Sequence, residues 1–444
     1  MNRVFIGDIN RFVGHEVELW GWLQNKRSTR KLHFLQVRDG STSLPLQGVV
    51  SLEDTNAELF STCAALQREC SLKVRGTVAE DPRAPLGYEL QVSDVVLVGS
   101  SVDFPISKKA HGDAFLLDHR HLWLRSRRQH AILRIRHTLI RAIRDYFDAH
   151  GFTLVDSPIL TPNACEGTST LFCTPYFAQE AYLTQSGQLY QEAACMAFGK
   201  SYCFGPTFRA EKSKTRRHLS EFWMVEPEVA YADLGDIMDL AEDFLCAIVH
   251  RVLGEHEHIL TTLLERDLTA LRGVQKPFPR ISYDDALAQL DHLRNATADP
   301  GLRQSLALTW GDDFGSPHET ELSKRHDRPI MVHSYPAAVK AFYMKRDAQN
   351  PALARCVDVL APEGYGEIIG GGQREDDAAV LDAAIAKQGL PHAPLQWFLD
   401  LRRYGTVPHA GFGLGVERCV AWICGLHHVR ETIPFPRTID RLSP

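Results

Sequence analysis

Five short strands crowd into the first hundred residues, and their density constrains this chain more than any other feature. VELWGWL, LHFLQVRD, LPLQGVVS, SLKVRGTV and YELQVSDVVLV alternate or run β-branched, with turn signals such as Asp39-Gly40-Ser41 between them. That pattern predicts a small barrel, and the OB type is the commonest five-stranded choice. Between the first two strands lies NKRSTRK, which places Lys26, Arg27, Arg30 and Lys31 within six positions; Phe34 and Gln36 follow on the next strand. Such a run is either a solvated loop or a grip on single-stranded nucleic acid, with charge for the backbone and a ring for base stacking.

Residues 101–117, SVDFPISKKAHGDAFLL, read as a connector containing Pro105 and Gly112. A helix is expected from about Ser126 to His150. Ile132, Ile135, Leu139, Ile143 and Phe147 step by three or four along one face, and Gly151 stands where a C-terminal cap belongs. FTLVDSPILTP then reads as a strand interrupted by Pro158. Proline cannot donate to a ladder, so this is an edge strand or a subunit contact. The rest mixes strands (AYLTQS, FWMVEPEVAY, VDVLA, GEIIGG) with helices (LGDIMDLAEDFLCAIVHRVL, DDAAVLDAAIAKQG). The class expected is α+β with a mainly antiparallel sheet, not a regular βαβ alternation.

Composition sets limits. At 444 residues the chain exceeds one ordinary core. Apolar content of 44% with 23% charged residues describes a globular protein rather than a disordered one. No apolar run has signal-peptide or membrane-span length, and the ten cysteines form no CxxC pair, which reads as reduced thiols in the cytoplasm. A net charge of −6 argues against a general coat for nucleic acid, while leaving room for a local basic surface.

Familiar phosphate motifs are absent. FGKS at 198–201 ends like a P-loop, but the first glycine of that motif, needed five residues before Gly199, is Ala194. What remains is a constellation in three parts. GPTFRAEKSKTRRHLSEFW carries Arg209, Glu211, Arg217, His218 and Phe222. CVDVLAPEGYGEIIGGGQRED carries Asp358, Glu367 and Arg374. HAGFGLGVERCVAWI carries three glycines and then Glu417-Arg418. Each part alone has a plain structural explanation: a charged hairpin, a glycine-rich turn, a helix-start salt bridge. Together they supply what a nucleoside triphosphate needs, namely guanidinium groups for phosphates, paired carboxylates for Mg²⁺ and backbone open to close approach.

FRAE…RRHLSEFW resembles motif 2 of the class II aminoacyl-tRNA synthetases, and GFGLGVER resembles their motif 3. FTLVDSPIL is similar to their motif 1, and the order of parts resembles the aspartyl/asparaginyl/lysyl branch. The resemblance implies an anticodon-binding OB barrel over residues 1–100, a linker over 101–117 and a catalytic domain over 118–444. It implies activation of an amino acid by ATP with Mg²⁺, transfer to a tRNA, and a cytoplasmic homodimer. Arg209 would bridge the α-phosphate and the amino-acid carboxylate, with Glu211 keeping it aligned. Arg217 and His218 would hold pyrophosphate. Phe222 and Arg418 would sandwich adenine, and Leu219, Gly415 and Glu417 complete the ATP site. Asp358 and Glu367 would hold the metal, with Gly370 standing where the aspartyl branch has a hydroxyl residue.

For the amino acid, the resemblance places Glu166 and Gly167 on a closing loop and Ser186 and Gln188 in the pocket. Gln191 stands where aspartyl enzymes carry a lysine, and Glu226 where they carry aspartate. Glu226 and Arg374 would offer an acceptor and a donor, which suits a carboxamide, so the pocket reads as one for asparagine. The alternatives are a compact aspartyl-type or non-discriminating enzyme, and a regulatory or amidating paralogue. On the barrel, Arg27, Phe34, Gln47 and Gln91 would meet the anticodon, Gln91 as either a base reader or an ordinary surface glutamine.

Overall fold

The computed structural model describes residues 3–163, 165 and 171–444. The chain divides into two compact units, residues 1–131 with Pro444, and residues 132–443.

The first unit is a closed barrel of β1 (Glu16–Ser28), β2 (Leu32–Arg38), β3 (Leu46–Ser51), β4 (Ser71–Glu80) and β5 (Tyr88–Gly99), in the order β1-β2-β3-β5-β4. Strict alternation builds it: Leu19, Leu35, Val50, Val74 and Leu90 point inward and are essentially inaccessible. The turn at Asp39-Gly40-Ser41 forms as expected, Asp39 Oδ1 accepting from the Ser41 N–H at 2.9 Å and its hydroxyl at 2.6 Å. A helix over Ala57–Ala65, capped by Asn56, was not anticipated by the strand pattern. It changes the reading of the basic run. Asn25–Ser28 belong to β1, and Lys26 Nζ turns inward to the carbonyls of Cys63, Ala64 and Leu66 at the C-terminal end of that helix, so its charge serves the fold.

A helix runs from Arg127 to Ala149. Ile132, Ile135, Leu139, Ile143 and Phe147 are fully buried, and Gly151 closes the helix as expected. The Phe152 N–H reaches the Phe147 carbonyl and the Gly151 N–H that of Asp148, with the two phenylalanine rings 5.0 Å apart.

In the second unit the strands are β6 (Thr153–Leu154), β7 (Leu160–Thr161), β8 (Cys173–Tyr176), β9 (Gln179–Leu183), β10 (Lys200–Phe208), β11 (Glu221–Ala230), β12 (Arg280–Ser282), β13 (Ile330–His333), β14 (Cys356–Ala361), β15 (Gly366–Gln373) and β16 (His409–Gly415). Eight form one sheet in the order β12-β13-β14-β15-β16-β11-β10-β6; β7, β9 and β8 form a small second one. Only the outer pairs β12/β13 and β10/β6 are parallel, so the main sheet is mainly antiparallel. Pro158 falls between β6, an edge strand, and β7, and it leaves Leu154, Ile159 and Leu160 exposed. The helix Leu234–Leu263 packs against β14–β16, its start fixed by a capping box between Asp233 and Asp236. No helix among the described residues is long and apolar enough to cross a membrane.

Candidate active site

The β10/β11 hairpin carries the first group of charges. Its strands pair without a slip up to Phe208↔Glu221, and the Arg209 N–H closes the ladder on the Ser220 carbonyl at 3.0 Å. The Arg209 guanidinium lies 5.4 Å from the Phe222 ring, and its buried Nε has no hydrogen-bond partner among the described residues. A buried donor without an acceptor is costly in the free protein and available to a ligand. Glu211 meets His218 at 3.5 Å and, among the described residues, makes no ion pair with Arg209. Burial foremost, then Arg418, pulls the His218 pKa down. Arg217 is held by Glu319 (2.8 Å), Thr320 and the Gly364 carbonyl (2.7 Å). Burial lowers its guanidinium to about 10 although Glu319 opposes the shift.

The helix Val416–Cys424 begins where β16 ends, at Gly415. Arg418 Nη1 donates to Glu367 through both the carbonyl (3.0 Å) and Oε2 (2.8 Å). Glu417 turns the other way: its carboxylate accepts from the Trp223 N–H at 2.9 Å and pairs with Arg136 at 2.7 Å. Arg209, Glu211, Arg217, His218, Leu219, Phe222, Glu367, Gly415, Glu417 and Arg418 all line one slot of about 80 Å³.

Asp358 and Glu367 face each other through a β-bulge. Asp358 pairs with Gly370, and the register slips between Val359 and Leu360, so Leu360 meets Glu367. The extra residue puts Glu367 and Gly370, three apart, on the face that Asp358 shares. A Cβ at position 370 would come within 2.8 Å of Glu367 Oε1 and 3.6 Å of Asp358 Oδ1, so glycine keeps the space between the carboxylates open. Burial raises Asp358 to about 6, Lys340 opposing and Glu367 reinforcing. Lys340 was missed in the sequence: its Nζ lies 2.8 Å from Asp358 and 3.6 Å from Asp313, over the Tyr335 ring.

A wider cleft of about 450 Å³ shares Arg209, Arg217, Glu367 and Arg418 with the slot and extends to Ser186, Gln188, Glu226, Glu228 and Arg374. Glu226 and Glu228, two apart on β11, face the same side. Glu226 accepts from the Ser186 hydroxyl and from the Gly187 N–H at 2.8 Å. Arg374 is clamped bidentately by Glu228, at 2.9 and 3.0 Å. That carboxylate passes where a Cβ at Gly411 would sit, 2.0 Å from Oε2, so only glycine admits it. Sequence reasoning missed Glu228 and Glu319, whose signal was present in the period-two spacing to Glu226 for the first and absent for the second. Gln191 is placed elsewhere than expected: its amide donates to the Val155 carbonyl (2.7 Å) and Ser157 (3.1 Å), and it does not line the cleft. Glu166 and Gly167 lie outside the described residues.

On the barrel, Phe34, Gln47 and Gln91 sit at outward positions of the adjacent strands β2, β3 and β5. Phe34 pairs with Val49, which pairs with Gln91; Arg27, opposite Phe34, lies 4.7 Å from its ring. Glu89, unremarked in the sequence, accepts weakly from Gln47 at 3.4 Å.

Residues 112–439 match the family model of tRNA synthetases class II (D, K and N), and residues 17–98 match that of the OB-fold nucleic acid binding domain. The asparagine–tRNA ligase of Sorangium cellulosum is 61% identical over 439 residues, 98% of each chain, and that of Chloroflexus aurantiacus is 53% identical over 99% and 98%. The crystal structure of asparaginyl-tRNA synthetase from Pyrococcus horikoshii complexed with asparaginyl-adenylate superposes with a TM-score of 0.94 at 42% identity, covering both chains fully. With the slot, the cleft and the barrel in the arrangement described, this chain belongs to the class II tRNA synthetases of the aspartyl, lysyl and asparaginyl group.

Proposed function

We propose that this chain activates L-asparagine with ATP, giving asparaginyl-adenylate and pyrophosphate, and transfers the asparaginyl group to the 3′ end of the asparagine tRNA. The carrying observation is that slot and cleft share one wall at Arg209. A nucleotide in the slot and an amino acid in the cleft meet there. A carboxylate oxygen of asparagine attacks the α-phosphorus, the bond from it to the bridging oxygen breaks, and pyrophosphate leaves with that electron pair. The attacking carboxylate is already ionised, so no general base is required. Arg209, with an unused donor, stabilises the charge that accumulates on the pentavalent phosphorus. Positioning supplies much of the rest.

Phe222 and Arg418 line the same slot and support an adenine sandwich, the Arg418 plane being fixed by Glu367. Arg217 and His218, which line the same slot, would hold the pyrophosphate. The half-buried pair Asp358 and Glu367, with the space between them left open by Gly370, suits Mg²⁺, a hard cation that takes carboxylate oxygen. When bound, the ion would neutralise phosphate charge; Lys340 is then the residue that must release Asp358. Glu226 as acceptor and the fixed Arg374 guanidinium suit the two ends of a carboxamide. A carboxylate in that place would meet Glu226 with like charge.

The barrel, taken as residues 1–100, reads the anticodon through Phe34, Gln47 and Gln91, with Arg27 at the loop backbone; residues 101–117 connect it to the catalytic part, 118–444. The exposed Leu154, Ile159 and Leu160 beside Pro158 support a homodimer contact, and an active monomer by sedimentation at micromolar concentration would refute it. The enzyme works in the cytoplasm, where its tRNA is. ATP–pyrophosphate exchange without tRNA tests the central reading: asparagine should support it, and support by aspartate alone, or by neither, would overturn it.

A further inference from the structure

Behind Gln188 lies a set of charges that the reaction described above does not use. Glu192 sits one turn further along the helix Gln188–Phe198 and is wholly buried. Its Oε1 accepts from Gln188 Nε2 at 2.8 Å. Its Oε2 accepts from His409 Nε2 at 2.9 Å and pairs with the Arg402 guanidinium. Arg402 is anchored in turn by the Glu375 carbonyl at 2.8 Å, and His409 Nδ1 by that of Val407 at 2.8 Å. Glu192, Glu228 and His409 approach one another within 4.8 Å, but Arg402 and Arg374 already supply the cations that these carboxylates face, so the cluster is an ion network rather than a metal site.

An ionised carboxylate accepts on both oxygens and never donates. Glu192 therefore fixes which way the Gln188 amide turns: NH₂ towards itself, carbonyl oxygen towards the cleft that Gln188 lines. Glutamine at 192 could donate as well as accept, and the amide would lose that bias. The charge is secure. Burial works against it, Arg402 and then His409 outweigh burial, and the carboxyl is held at about 2.

We propose that Glu192 is a positioning residue for amino-acid selection, which orients the Gln188 amide so that its carbonyl oxygen receives an N–H of the bound amino acid. The proposal rests on the reading of the cleft as an asparagine site. Exchange measured on the full chain, with asparagine and ATP titrated separately, tests it. Glu192→Gln should raise KM for asparagine roughly 10-fold or more, the range expected for a lost hydrogen bond that involves a charge, and leave KM for ATP unchanged. Since that change strands Arg402 without its counter-charge, Glu192→Gln/Arg402→Gln is measured beside it, and the same split is expected. An unchanged asparagine KM in a folded variant overturns the proposal, and so does a parallel rise in both KM values, which a merely structural role would give. The parent chain separates the two readings. If it exchanges with aspartate and not asparagine, the asparagine reading falls; if it prefers asparagine and the variants do too with unchanged KM, only the role of Glu192 falls.

Discussion

The nucleotide slot and the floor of the amino-acid cleft are built on the same strands, yet they differ in how far their cations are tied to carboxylates. At the slot, Arg217 is tied to Glu319, but Arg209 keeps a buried donor without a partner and Arg418 spends one nitrogen on Glu367. On the floor each cation is ion-paired with a buried carboxylate, Arg374 with Glu228 and Arg402 with Glu192, although one Arg402 nitrogen has no hydrogen-bond partner among the described residues. An open cation is ready for charge that appears only during reaction, whereas a closed pair defines a shape and a polarity before any ligand arrives. Cations at the slot should therefore matter for rate, and cations on the floor for stability and choice.

The largest effect expected is on stability. Arg374→Met leaves Glu228 buried without its guanidinium, which should cost about 3–5 kcal/mol in urea unfolding; Arg418→Met, at the slot, should cost far less. Equal losses would erase the distinction. Next comes rate. Arg209→Ala should lower kcat for exchange roughly 100- to 1000-fold with an unchanged thermal midpoint, and a drop below tenfold would show that the open donor does not serve the transition state. Glu226→Gln probes choice: asparagine kcat/KM should fall roughly 10- to 100-fold and the gap to aspartate should narrow, with KM for ATP unmoved. The smallest change lies on the barrel. Gln91→Glu should shift the preference between tRNAs carrying U and C at the third anticodon base by ~1–3 kcal/mol, leaving tRNA-independent exchange untouched. An unchanged ratio would return Gln91 to an ordinary surface position.

The same contrast decides what could be read beforehand. The slot is local in sequence: Arg209 to Phe222 is one hairpin, and Gly415 to Arg418 one strand end, so two short motifs and the resemblance they carry brought nine lining residues at once. The barrel was legible because side-chain alternation is a nearest-neighbour property. The floor was not. Arg402 reaches Glu192 across 210 positions and Arg374 reaches Glu228 across 146, and no local pattern marks such partners. Lys26 and Gln191 failed for a related reason. Lys26 was read into the basic run by its charge and Gln191 into the amino-acid pocket by the resemblance, but neighbouring backbone takes up their donors: the end of the helix Ala57–Ala65 for Lys26, the Val155 carbonyl for Gln191. Gly370 shows the reverse. The resemblance marked it as standing where the aspartyl branch has a hydroxyl residue, but the bulge that brings Glu367 round to meet it belongs to the pairing of two strands.

The Glu417 carboxylate has a mechanical consequence. It is tied on one side to Arg136, in the helix Arg127–Ala149, and on the other to the backbone N–H of Trp223. Arg418 follows it directly in the chain and Phe222 directly precedes Trp223. The two walls of the slot thus hang from a single linchpin, and a roll of that helix would carry both walls together, preserving the gap between them while changing its tilt.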